Sequence, residues 1–199
     1  MLHLYTEKIL LNDKYLMTCL KNDGINVLDI VNFKQYTVVD IERPKLCADR
    51  LDGVILTGIG WTKNISLDEI KLIIDNLKIF KNEDGENEIG FTSLDILKRV
   101  VEISKTIDLY CHSKEDNYMM ELLAGITKLV ITKGYVDYDD LYYYDEEELF
   151  EILKSFDDKE VISLLDKFEN IKLGDIPNIK LSNVKIRKLS PLFNNKRMM

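Results

Sequence analysis

The chain has 199 residues, 46% of them hydrophobic and 31% charged, a balance that fits a folded core of about one domain and argues against a disordered protein. Its 35 acidic side chains outnumber 27 basic ones, for a formal charge of −8, which argues against a general nucleic-acid binder, because such proteins carry a basic face. Cys19, Cys47 and Cys111 are odd in number, widely spaced and without a CxxC pair, so they point away from a disulfide framework or a cysteine zinc site. The N-terminus lacks the layout of a signal peptide, and no stretch approaches the roughly 20 apolar residues of a membrane span. A cytoplasmic protein is expected.

Along the chain, Leu2, Tyr5, Ile9, Leu16 and Leu20 fall on one face and predict an amphipathic helix over Met1 to Asn22, ended by Asp23-Gly24. Ile25 to Phe33 predicts a short helix, and Val38 to Ile41 a short apolar run before Pro44. Leu46, Cys47, Leu51, Val54 and Ile55 recur at helical spacing, which predicts a helix over Lys45 to Leu56 broken by Gly58 and Gly60. Ser66 caps a helix to Asn76, with Asp68 and Glu69 in its first turn. Leu77 to Phe80 and Glu88 to Phe91 alternate around Glu83-Asp84-Gly85 and predict a β-hairpin.

Thr92 or Ser93 then caps a helix over Leu94 to Tyr110, and another follows over Lys114 to Lys133. Cys111-His112-Ser113 is either a bend between the two or a kink in one long helix. Asp137 to Tyr144 is acidic and aromatic but lacks the spacing of a calcium loop. Asp145 caps a helix to Ser155, and Asp157 or Asp158 caps another to Asn170. Ile179 to Leu189 alternates and predicts a terminal strand, and the tail from Asn194 is expected to be loose. The expected fold class is therefore mainly α, with a small β-hairpin and a C-terminal strand.

Three side-chain groups bear on chemistry. Asp49 and Asp52 lie three apart on one helix face with Arg50 beside them. On spacing alone this is either a salt-bridged surface face or a carboxylate metal ligand next to a phosphate-binding arginine. Tyr110, Lys114 and Tyr118 are spaced by four, which suits tyrosines packed in a core with a solvated lysine, or a basic and aromatic ligand face. The tyrosine-rich acidic run suits a loop before a capped helix, with some tyrosines offered to a partner.

The stretch Arg43-Pro44-Lys45-Leu46-Cys47-Ala48-Asp49-Arg50-Leu51-Asp52 resembles the last metal motif of the HD-superfamily phosphohydrolases, in the branch of the deoxynucleoside triphosphate triphosphohydrolases. Asp139-Asp140-Leu141 with Asp145-Glu146-Glu147, and Val184-Lys185-Ile186-Arg187 before Pro191, resemble that family's C-terminal helical region and closing strand. The resemblance covers nearly the whole chain and is strongest at Val39 to Asp52 and Gly134 to Pro191. It implies an HD-domain-like helical bundle, a single partial domain over 1–193 and a loose tail over 194–199.

It further implies a divalent metal (Mn, Fe, Mg, Ni or Zn) held in an H…HD…D pattern, with Asp49 as the final ligand. The substrate class would be a phosphate ester or anhydride, such as a nucleotide. Arg50, His3 and Lys114 are its implied phosphate contacts, with Asp52, Tyr110 and Tyr118 as accessory positions. Gly53 stands where the triphosphohydrolases commonly carry a tyrosine.

Only His3 and His112 occur, and no His-Asp doublet. The upstream H…HD helices are therefore expected to be missing, as in a shortened chain, a split gene product or a degenerate relative, and the chain alone is expected to be inactive. Family precedent implies a homo-oligomer, and the missing segment makes a complementing chain the other expected partner. The rival expectation is a non-enzymatic binding or regulatory module on the same scaffold.

Overall fold

The computed structural model describes residues 2–178 and 187–198, with side chains from residue 7 onward. Its elements are mainly helical, with one small sheet. Two compact units divide the chain: Met1–Ile107 with Arg187–Met199, and Asp108–Ile186.

The first unit opens with α1 (Leu2–Asn12) and α2 (Lys14–Asn22). The single helix expected here is interrupted at Asp13, whose carboxylate accepts from the amides of Tyr15 and Leu16 and so caps a second helix. A short α3 (Val27–Val31) and a 3-10 turn over Phe33–Gln35 replace the helix expected to reach Phe33. Next comes α4 (Ala48–Gly60), which starts three residues later than predicted and runs through Gly58. Gly58 is tolerated because space is short: a Cβ there would lie 2.9 Å from Ile65 Cγ2.

Ser66 and Glu69 form a capping box on α5 (Leu67–Asp75). The predicted hairpin is present as β1 (Leu77–Lys81) and β2 (Asn87–Phe91), paired antiparallel. From Leu94 to Cys111 runs α6, which begins after Ser93. Leu46, Leu51, Val54, Ile73, Phe91, Leu97, Val100 and Ile103 form this unit's core.

The chain end is a correction. Residues 179–186 of the expected terminal strand lie outside the described residues, and 187–191 are not strand. Instead β3 (Leu192–Phe193) pairs parallel with β2, and β4 (Lys196–Arg197) pairs antiparallel with β3. The tail is thus a hairpin rather than loose. Asn194 and Asn195 both take left-handed φ values of 46° and 61°, which suits a two-residue turn of asparagines.

The second unit contains α7 (Lys114–Thr132), α8 (Glu146–Ser155) and α9 (Lys159–Asn170). Ser113 caps α7, so Cys111 to Ser113 is a bend between two helices and not a kink within one. Asp145 and Glu148 form a second capping box, and Asp158 caps α9. Ile126, Val130, Phe150, Leu153, Val161 and Leu165 make a separate core. Lys133 and the Tyr135 hydroxyl both donate to Asp158 at 2.7 Å, and these bonds, Lys133 first, hold its carboxyl well below the usual carboxylate range. No helix among the described residues is long and apolar enough to cross a membrane.

Candidate metal centre

The head of α4 is assembled by a remote turn. Cys47 occupies the N-cap position but makes no side-chain cap bond, so the first helical amides need other acceptors. Ala48 N donates to Val38 O at 2.8 Å, and Asp49 N to Val39 O at 3.3 Å. That pairing lays the turn ending at Asp40 against the start of the helix. Val39 N and Asp40 N in turn both donate to Tyr36 O.

The consequence is a cluster of three donors. One ligand atom each from Asp40, Cys47 and Asp49 lies within 4.8 Å of the others. Cys47 is buried, Asp40 half-buried and Asp49 exposed, so the group opens to solvent on the Asp49 side. Asp49 also sits in the first helical turn, where the helix dipole favours negative charge. Two carboxylates and a thiol suit a borderline-soft divalent ion such as Zn2+, with water in the remaining position and loss of the thiol proton on binding.

These residues fit that donor set, but they include no histidine and so do not reproduce the H…HD…D pattern that the resemblance implies. His3 lies on α1 with its side chain outside the described residues. His112 belongs to the second unit, where its Nδ1 lies 3.7 Å from Asp108 Oδ2.

Arg50 is tied to the loop before its helix. Its guanidinium donates to Ile41 O at 2.7 Å and also to Lys45 O, so two of its nitrogens staple residues 41–45 to the first turn of α4. Asp52 is exposed one turn along. Tyr110, Lys114 and Tyr118 belong with the second unit. There Tyr110 is 50% exposed, Lys114 Nζ lies 3.7 Å from Glu115 Oε1, and Lys167 Nζ sits 5.5 Å from the Tyr118 ring centroid. The structure therefore brings Asp49 and Arg50 together at one helix start.

Asp40 as a neighbour of Asp49 was not expected from the sequence, and the cysteines were expected to hold no zinc. Cys47-Ala48-Asp49 is a local signal that was available. Asp40 carries none, because a loop of irregular backbone returns it.

Around this centre lies a polar network. Lys45 Nζ contacts Asp84 Oδ2 at 2.5 Å and Glu86 Oε2 at 3.1 Å, and these partners, Asp84 foremost, raise the lysine above its ordinary range. Leu46 N donates to Glu88 Oε1 at 3.1 Å. Glu88 is fully buried, and Arg197 meets both of its oxygens, at 3.1 and 2.7 Å. The same guanidinium donates to Glu83 at 2.7 and 2.8 Å. It pulls the Glu83 carboxyl down to about 2, and Glu88 first, then Glu83, push the arginine higher still.

Compared with known protein families, curated proteins and solved structures, the chain matched none.

Proposed function

We propose that this protein is an HD-phosphohydrolase-like scaffold that binds a divalent cation through Asp40, Cys47 and Asp49 and does not by itself hydrolyse phosphate compounds. The observation that supports the reading is the convergence of three donors at the start of α4, at the aspartate that the resemblance carries over. The ancestral chemistry would be metal-assisted hydrolysis of a phosphate ester or anhydride, such as a nucleotide. In such chemistry the ion polarises the phosphoryl group and lowers the pKa of its bound water. Arg50 is the phosphate contact of this reading within the unit that carries the three donors, and Asp52 its accessory position. Two carboxylates and a thiol stand in this reading where the resemblance implies a histidine-rich set.

Elemental analysis of the purified chain tests this. A zinc-type ion is expected at close to one equivalent, lost in Asp49→Ala and in Cys47→Ser. Metal-stimulated phosphate release from deoxynucleoside triphosphates is expected to be absent. Metal content independent of Asp49, or robust metal-stimulated hydrolysis, would sink the reading.

A second reading, a binding module, is favoured by the exposure of Tyr138, Tyr143 and Tyr144 at 51%, 56% and 42% beside Asp137, Asp139 and Asp145. Exposed tyrosines are frequent contact residues at protein interfaces. Under it, sedimentation of the chain shows concentration-dependent association that Tyr143→Ser with Tyr144→Ser abolishes. Unchanged sedimentation of this variant counts against it.

A further inference from the structure

Cys47 and Asp49 follow a segment that has no regular structure of its own between Ile41 and α4. Besides the two bonds from Arg50, its backbone is held at two points by residues remote in sequence. Ser190 N donates to Pro44 O at 2.8 Å, and Leu46 N donates to the buried Glu88 carboxylate at 3.1 Å. A carboxylate without solvent keeps its charge only beside a counter-charge. Arg197 supplies that charge through two nitrogens on Glu88. It also donates to Ser190 O at 2.6 Å. One guanidinium therefore closes on both remote residues that hold the Pro44–Leu46 backbone. Arg197 is itself placed by the Asn194-Asn195 turn and the pairing of β4 with β3.

We propose that Arg197 and Glu88 are positioning residues: the C-terminal hairpin is a latch that sets Cys47 and Asp49 against Asp40. The value of the latch to cation binding rests on the reading of those three residues as a cation site. The latch itself is testable without any cation. Arg197 touches none of the three donors, so its effect must pass through the backbone of residues 44–47. The fork geometry matters, because a lysine ammonium is a single point charge that cannot hold Glu88 bidentately and reach Ser190 O at once.

The test uses the full chain with Cys19→Ser and Cys111→Ser, so that Cys47 is the sole thiol. Two readouts are taken: Co2+ titration followed by the thiolate-to-cobalt charge-transfer absorption, and the rate at which a maleimide labels Cys47 in the folded protein. Arg197→Met is expected to weaken Co2+ binding by about 10- to 100-fold, the range for loss of a residue supporting a metal ligand. It is also expected to speed labelling by about tenfold, as the segment opens locally. Arg197→Lys falls between this variant and the parent.

The control is Arg99→Met, which removes another arginine of the same unit, bound to Glu69 and to Asn64 O. It is expected to change both readouts by less than about twofold, since it shares no partner with the segment. A folded Arg197→Met chain that matches the parent in both readouts overturns the latch. So does an equal loss in Arg99→Met, which would mark general loosening. Should Arg197→Met fail to fold, Arg197→Lys decides by the same criteria. If the parent shows no cobalt–thiolate absorption, the cation reading fails, and the labelling rates still decide the latch.

Discussion

Glu88 and Gly90 lie two residues apart on one strand, and each tolerates little change, for different reasons. Glu88 is buried and answers Arg197, Leu46 N and Asn82 together. Glu88→Ala takes one partner from Arg197, which keeps Glu83 and Ser190 O, and leaves the buried Leu46 amide without its acceptor, so urea unfolding should show a loss of about 1–3 kcal/mol. Gly90 faces the neighbouring strand: an added Cβ would lie 2.6 Å from Leu192 O and 2.7 Å from Phe80 Cδ2. The first of these atoms is backbone, which cannot swing aside. Gly90→Ala should therefore cost about 1–3 kcal/mol by the same measurement and part β3 from β2.

Glu83 is exposed but coupled to Arg197, which lowers its pKa from 4.5 to about 2. Because the folded value is the lower one, its stabilising effect is complete above pH 4.5 and is lost as pH falls through about 2. Acid titration of Glu83→Gln should accordingly show a shallower fall in stability across that window than the parent shows. None of these three roles was visible in the sequence. Glu88 and Arg197 lie 109 positions apart, and a period-2 strand pattern says which residues alternate, not what they meet.

Among the elements, the two helices opened by a capping box were read correctly. Ser66 and Asp145 each precede a helix with a glutamate three positions on, and both capping boxes are formed. Asp145→Ala should cost about 1 kcal/mol and raise amide exchange in the first turn of α8. A native-like exchange pattern in that turn would remove the cap's importance. The start of α4 was misplaced for the converse reason. Its cap is not a side chain next in sequence but the carbonyls of Val38 and Val39, while Leu46 N is diverted to Glu88. At the N-terminus, unbroken apolar periodicity concealed a cap at Asp13, whose two hydrogen bonds end one helix and start another. At the C-terminus, Asn194-Asn195 was a turn signal in a stretch read as loose.

For the molecule as a whole, two cores form within two units, one built on α4, α6 and the sheet, the other on α7, α8 and α9. The metal analysis with Asp49→Ala and Cys47→Ser belongs at this scale, because three donors from two separate stretches must meet for an ion to be held. The sequence by itself determined the mainly helical class, the hairpin and most helix limits. Periodicity and capping are short-range, and their physics is complete within a turn or two of chain. It also singled out Asp49 and Arg50 by their motif. The tertiary structure alone decided what surrounds them: Asp40 and Cys47 beside Asp49, Arg50 bonded to two loop carbonyls, and the Glu88–Arg197 pair behind the segment. Those contacts join residues far apart in sequence through irregular backbone, where no repeating pattern ties position in the chain to position in space.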